Sequence, residues 1–108
     1  DAAEIFKVQV EEPENAIKRK IDQGMYPEMA RSEYAENLID QISLMQQDIL
    51  EYERFHSPNP VLRAKLEELA SRLNDLTEDI SGGPTDMESL KDYYKRLEAI
   101  QGDGVRLA

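Results

Sequence analysis

Residues 62–80 read LRAKLEELASRLNDLTEDI, and residues 34–56 read YAENLIDQISLMQQDILEYERFH. Both stretches place apolar residues at steps of three and four, which is the spacing of one stripe along an α-helix. The stripe residues are Leu62, Leu66, Leu69, Leu73, Leu76 and Ile80 in the first stretch, and Ala35, Leu38, Ile42, Met45, Ile49 and Tyr52 in the second. Ser57-Pro58-Asn59-Pro60 joins them, and Asn59 suits an N-cap while Pro60 suits a first helical position. We therefore predict two helices that fold back on each other, stripe to stripe.

Shorter helices are predicted on either side of this hairpin. Pro13 begins a first helix of about three turns, which stops before Gly24. Thr85 and Glu88 form a capping-box pattern at the start of a last helix that ends near Gly102. The fold class predicted is all-α: an antiparallel helical bundle in which a long helical hairpin and a third helix follow a short helix and an N-terminal extended segment. The predicted helices cover residues 13–23, 27–56, 60–81 and 86–101, with a tail at 102–108.

The N-terminal residues 1–12 have a different pattern. Phe6, Val8 and Val10 alternate with polar residues, which is the period of a β-strand. Because a lone strand has no partner for its backbone, we expect this segment to be the end of an upstream domain. Without that domain it should be flexible, or self-associate by pairing residues 5–10 of two copies.

Bulk composition excludes several function classes. The net charge is −10, from 23 acidic and 13 basic residues, so nucleic acid and anionic membrane surfaces are not expected partners. The chain has no cysteine, which excludes disulfides and thiolate metal sites and fits a cytoplasmic location. No stretch is long and apolar enough for a membrane span, and no signal-peptide pattern opens the sequence.

The search for catalytic chemistry finds little. His56 is the only histidine, and it continues the apolar stripe after Tyr52 at the end of a helix. Adjacent acidic pairs such as Glu67-Glu68 diverge on a helix, so they make poor ligand pairs. Because no nucleophile, base and orienting group come together, we predict no enzyme activity, no cofactor and no metal site in these residues.

The first half of the long predicted helix has a thinner apolar stripe. Residues 28–40 carry Met29, Tyr34, Ala35 and Leu38 together with a strongly acidic flank. A helix that its own bundle holds over only half its length has a free half that can cover another molecule. We therefore expect residues 28–40 to be loosely held, although a helix that merely protrudes would fit the same pattern.

Taken in order, these elements resemble the C-terminal lid of the DnaK-type, seventy-kilodalton heat-shock chaperones. In that family a last β-strand leads into a short helix, then a long helix over the peptide cleft, then a helical bundle. The local sequence is similar to that family's at Ala35–Gln41 (AENLIDQ), at Leu62–Glu68 (LRAKLEE) and at the turn Gly82–Asp86.

The resemblance implies a non-catalytic lid that covers a bound polypeptide and slows its release. The implied partners are a neighbouring peptide-binding domain and an unfolded polypeptide client, and ATP hydrolysis would lie elsewhere in the parent protein. The family's latch uses acidic groups early in the long helix, and Glu33, Glu36 and Asp40 occupy that region here. The alternative is a helical protein–protein interaction or oligomerisation module unrelated to chaperones.

Overall fold

The computed structural model describes residues 1–107, and every regular element in that range is helical. A 3₁₀ helix, Ala2–Phe6, precedes four α-helices: α1 (Pro13–Asp22), α2 (Pro27–His56), α3 (Pro60–Gly82) and α4 (Met87–Val105). The four helices pack antiparallel, so the predicted all-α antiparallel bundle is confirmed.

In the turn between α2 and α3, Asn59 and Pro60 behave as their residue types predict. Ser57 ends α2 in the left-handed region, with φ 42°, which is uncommon for a residue other than glycine. The side chain of Asn59 then accepts a hydrogen bond of 2.9 Å from the backbone N–H of Leu62, which satisfies one of the free donors at the start of α3. Pro60 occupies the first helical position, where it loses no intrahelical bond. The hairpin predicted for residues 34–80 is therefore correct in detail.

Both ends of α4 differ from the prediction. The N-cap is Asp86, one residue after Thr85, and the carboxylate of Asp86 accepts hydrogen bonds from the backbone N–H and the hydroxyl of Ser89. The helix then continues past residue 101 to Val105, so most of the predicted tail is helical. Gly104 lies buried within this last turn, where its missing side chain makes room for a neighbouring ring.

The predicted stripes form the core. Leu66, Leu73 and Leu76 are fully buried on α3, and the stripe of α2 faces them. The core residues of α2 are Ala30, Tyr34, Ala35, Leu38, Ile42, Met45 and Ile49. The molecule measures 48 Å along its longest axis, about the 45 Å expected for α2 alone, so this helix runs the whole length of the bundle.

The strand prediction for the N-terminus is wrong. Residues 2–6 form the 3₁₀ helix, residues 7–12 belong to no regular element, and there is no strand among the described residues. Phe6 is only 1% exposed, and Ala2, Ala3 and Ile5 are also buried against α2 and α4. The start of the segment is thus part of the core of its own bundle, while Val8 and Val10 are half-buried.

The expectation of a free first half of α2 is also wrong. Ala30 is 0% exposed, Tyr34 4% and Leu38 1%, because α1 and the N-terminal 3₁₀ helix pack on this part of α2. Alanine at position 30 allows a neighbouring element to approach closely, so a sparse apolar stripe is enough to hold it. None of the described helices is long and apolar enough to cross a membrane.

Candidate functional site

The side of α2 that faces away from the bundle carries one continuous line of side chains, all exposed except the half-buried Glu33, which we call the outward stripe. Its members follow steps of three and four residues, so they share one face of the helix. They are Met29, Glu33, Glu36, Asp40, Leu44, Gln47, Glu51 and Phe55. At the usual helical rise the stripe is about 39 Å long.

Three large apolar side chains interrupt the charged character of the outward stripe. Met29 is 59% exposed, Leu44 55% and Phe55 73%. Acidic residues lie between them, and Tyr26, 76% exposed, extends the apolar surface just before the helix begins. An exposed line that alternates apolar and acidic groups can contact apolar and basic groups of another chain at the same time.

The structure places all three predicted partner-binding residues on this stripe. Glu36 and Asp40 are exposed, and neither makes an ion pair within the described part of the chain. Glu33 differs, because its carboxylate accepts a hydrogen bond of 2.5 Å from Lys20 Nζ on α1. The side chain of Lys20 is only 8% exposed, so its ammonium depends on this single carboxylate for compensation. Glu33 therefore has a structural task as well, whereas Glu36 and Asp40 are free to contact a partner.

A shallow groove adjoins the start of the stripe. It is lined by Glu28, Met29, Ser32, Glu33 and Glu36, so its walls carry three carboxylates around one exposed apolar side chain. No positive side chain contributes to the lining. A lysine or arginine of a partner is the group that this groove would accommodate most favourably.

His56 is placed where a structural role explains it. Its ring stacks on Tyr52, with the ring centroids 4.4 Å apart and the planes 9° from parallel. Both rings belong to the last turn of α2, and His56 is exposed. Within residues 1–107 no three histidine, aspartate or glutamate side chains converge in a way that could hold a metal ion.

Sequence reasoning missed a second set of polar residues, which hold the N-terminal segment. The hydroxyl of Tyr34 donates a 2.7 Å hydrogen bond to the carbonyl of Glu11. Burial raises the pKa of Tyr34 well above its usual value, and the neighbouring Tyr94, Glu12 and Glu11 act in the same direction. On α4, the side-chain amide of Gln101 donates to the carbonyls of Phe6, at 3.2 Å, and Val8, at 2.8 Å. No local pattern marks these residues, because the contacts join positions far apart in the chain.

An ion pair between Arg19 of α1 and Glu11 also holds the N-terminal segment. Arg19 Nη2 lies 2.8 Å from a carboxylate oxygen of Glu11. This hydrogen bond lowers the pKa of the Glu11 carboxyl and raises that of the Arg19 guanidinium. Both groups are half-exposed, so the pair orients the segment more than it stabilises it.

Comparisons of the chain with protein-family models, with curated proteins and with solved structures gave no match.

Proposed function

We propose that this chain is a non-catalytic helical module that binds another polypeptide through the outward stripe of α2. The observation that carries the proposal is the alternation of exposed Met29, Leu44 and Phe55 with acidic side chains along one face of α2. The partner that fits this face is a polypeptide segment that combines apolar and basic residues.

Electrostatics favours the same partner. The net charge of −10 attracts basic segments from a distance and speeds their encounter, while it repels acidic ones. Once the two chains meet, the apolar side chains supply most of the attraction, because exposed ion pairs contribute little on their own. We therefore expect binding that weakens with salt without disappearing.

Fluorescence anisotropy with labelled unfolded peptides tests the proposal. The probes are 15-residue peptides that alternate leucine with lysine, with serine or with glutamate. The leucine–lysine peptide should bind most tightly, the leucine–serine peptide more weakly, and the leucine–glutamate peptide least. Equal affinity for all three would mean that the acidic stripe takes no part in recognition.

Matched charge removals separate the stripe from the acidic surface in general. Glu36→Gln combined with Asp40→Asn removes two charges from the stripe and spares the Lys20–Glu33 pair. Asp75→Asn combined with Glu78→Gln removes two exposed charges from α3. The α2 variant should weaken binding of the leucine–lysine peptide about tenfold, and the α3 variant by much less. Equal losses would show that the peptide responds only to net charge, and would overturn the proposal.

A chaperone lid is the second, more specific candidate. It is favoured by the order of the elements, since a short helix, a 30-residue helix, a returning helix and a final helix follow one another as the resemblance implies. In this reading the stripe would close over a neighbouring peptide-binding domain and its unfolded client in a cytoplasmic heat-shock protein, and ATP hydrolysis would belong to another domain. Because α1 covers the inner side of α2, closure would use Glu36 and Asp40 on the outward side.

The lid reading has its own test. In a parent protein that carries an ATPase and a peptide-binding domain, deletion of residues 28–108 should speed the release of bound peptide while leaving ATP hydrolysis largely unchanged. A lid must make contacts in its closed state that it lacks when open, so the charge-removal variant of Glu36 and Asp40 should speed release as well. An unchanged release rate in both proteins would exclude a lid and leave the interaction module.

A further inference from the structure

A cavity of about 320 Å³ opens between the first half of α2, α1 and residues 9–11. Asp40 belongs both to its lining and to the outward stripe, so the cavity and the stripe meet at this residue. The volume is near the lower end of the ~300–1,000 Å³ that is typical of ligand sites. The cavity therefore suits one large side chain better than a whole peptide.

The charged groups that line this cavity are all paired except one. Arg19 Nη2 lies 2.8 Å from a carboxylate oxygen of Glu11, and Lys20 Nζ lies 2.5 Å from Glu33. Asp40 is exposed and makes no ion pair within residues 1–107. The one uncompensated charge on the described lining is therefore negative. A cation is its complement, whereas an anion would have to displace a carboxylate from Arg19 or Lys20.

Uncharged hydrogen-bond acceptors lie near this carboxylate. Asn37 and Gln41 flank Asp40 on α2 and line the cavity, and neither side chain makes a hydrogen bond within the described part of the chain. Tyr34 also lines it, and because its hydroxyl donates to the carbonyl of Glu11, the phenol oxygen keeps lone pairs that can accept. The cavity thus combines one free carboxylate with three neutral acceptor groups.

The cavity also has an apolar wall. Ala16 is 2% exposed and Leu38 1%, and Val10 is half-buried beside them. Methylene groups of an entering side chain would gain contact with this wall while a polar end stayed among the acceptors. The arrangement therefore fits a side chain with an aliphatic stem and a cationic end.

We propose that the cavity binds one arginine side chain of the polypeptide that the outward stripe holds. This inference rests on the proposed function and names the residue type that the partner must place beside Asp40. A guanidinium carries five N–H donors in a planar fork and accepts no hydrogen bond, whereas a lysine ammonium is a compact point charge. Several separate acceptors around one carboxylate match the fork better than the point charge.

Paired peptides test the assignment by fluorescence anisotropy. Each is the leucine–serine peptide with one central serine replaced by arginine or by lysine, so the two probes carry the same charge. The arginine peptide should bind at least about fivefold more tightly than the lysine peptide, because only the guanidinium can use the neutral acceptors as well as Asp40.

Matched amide removals locate this preference. Asn37→Ala combined with Gln41→Ala removes two acceptors from the cavity without changing the net charge. Asn74→Ala combined with Gln46→Ala removes the same two residue types, with the same exposed and half-buried surroundings, away from the cavity. The first variant should reduce the preference for arginine to less than about twofold, and the second should retain it. Alanine favours helix at all four positions, and circular dichroism checks that both variants fold.

Side-chain amide NMR gives a second readout on the unchanged chain. The arginine peptide should shift the amide signals of Asn37 and Gln41 more than the lysine peptide does, while those of Asn74 stay in place. Equal affinities for the two peptides, equal shifts, or an arginine preference that survives the loss of Asn37 and Gln41 would overturn the assignment of the cavity. Tight binding of the leucine–lysine peptide would then leave the proposed function standing, whereas failure of that peptide to bind would remove both.

Discussion

Gly102 and Gly104 lie two residues apart in the last part of α4, and their surroundings are opposite. A Cβ atom at 104 would collide with the ring of Phe6, whereas one at 102 has only Arg106 Nη2 within reach, at 4.0 Å. Alanine is the better helix former at both positions. Gly102→Ala should therefore stabilise the chain by up to about 1 kcal/mol, and Gly104→Ala should destabilise it by about 1–3 kcal/mol. Urea unfolding measures both, and similar values for the two variants would contradict the buried position of Phe6.

The buried hydroxyl of Tyr34 makes stability depend on alkaline pH. Burial raises the pKa of Tyr34 in the folded chain, while an unfolded tyrosine titrates near pH 10. The folded state thus holds this proton more tightly than the unfolded state does. Its contribution to the free energy of unfolding is complete below about pH 10 and is lost as the pH rises further. We expect that free energy to fall above pH 10, and to fall less steeply in Tyr34→Phe.

Tyr26→Phe is the matched control for this pH dependence. Tyr26 is 76% exposed, so its replacement should leave the alkaline fall of the unfolding free energy unchanged. A partial fall should persist in Tyr34→Phe, because burial also raises the pKa of Tyr93 and Tyr94. Superimposable profiles for the unchanged chain and Tyr34→Phe would show that the Tyr34 hydroxyl is hydrated in the folded state.

At the scale of the helix, α3 stabilises the bundle through one apolar stripe. Leu73 is 0% exposed and Leu69 4%, whereas Leu50 on α2 is 67% exposed. Leu73→Ala and Leu69→Ala should each lower the free energy of unfolding by about 2–5 kcal/mol, because they leave cavities in the core. Leu50→Ala, the same chemical change at the surface, should stay within about 0.5 kcal/mol. Thermal melts that fail to separate these variants would contradict the packing of α3.

For α2, the structure predicts the opposite of what its sequence suggested, because the first half of the helix should be as well protected as the second. Because α1 and the N-terminal 3₁₀ helix pack on α2, the amides near Leu38 should resist hydrogen exchange about as well as those near Met45. Native-state hydrogen exchange measures both groups in one experiment. Rapid exchange confined to the first half of α2 would contradict this packing and support the expectation, drawn from the thin apolar stripe, that residues 28–40 are loosely held.

Across the whole molecule, what the sequence predicts well is what local pattern controls. The stripes from Leu62 to Ile80 and the turn at Asn59 need only neighbouring residues, and both were predicted correctly. Phe6 shows the limit of prediction from local sequence pattern. The alternation of Phe6, Val8 and Val10 fits a strand, but in the structure Phe6 ends a 3₁₀ helix, and the side chain of Gln101 holds the carbonyls of Phe6 and Val8.

Contacts between residues far apart in the sequence determine the features that local pattern does not predict. Gly102 was interpreted as a helix end, although α4 continues beyond it and brings Gly104 against Phe6. Nothing near either residue in the sequence indicates that contact. The predicted acidic residues Glu33, Glu36 and Asp40 do share one face, because helical spacing alone determines it. The ion pair between Glu33 and the buried Lys20 depends on how α1 packs against α2, so the spacing of residues in the sequence could not predict it.

The central claim is that the outward stripe of α2 binds polypeptide, and methyl NMR tests it most directly. Titration with the leucine–lysine peptide should shift the methyl signals of Met29 and Leu44, which lie on the stripe at 59% and 55% exposure. Val61 on α3 is 67% exposed and lies off the stripe, so its signals should stay in place. Shifts at Val61 as large as those at Met29 and Leu44, or no shifts at the stripe, would contradict the claim.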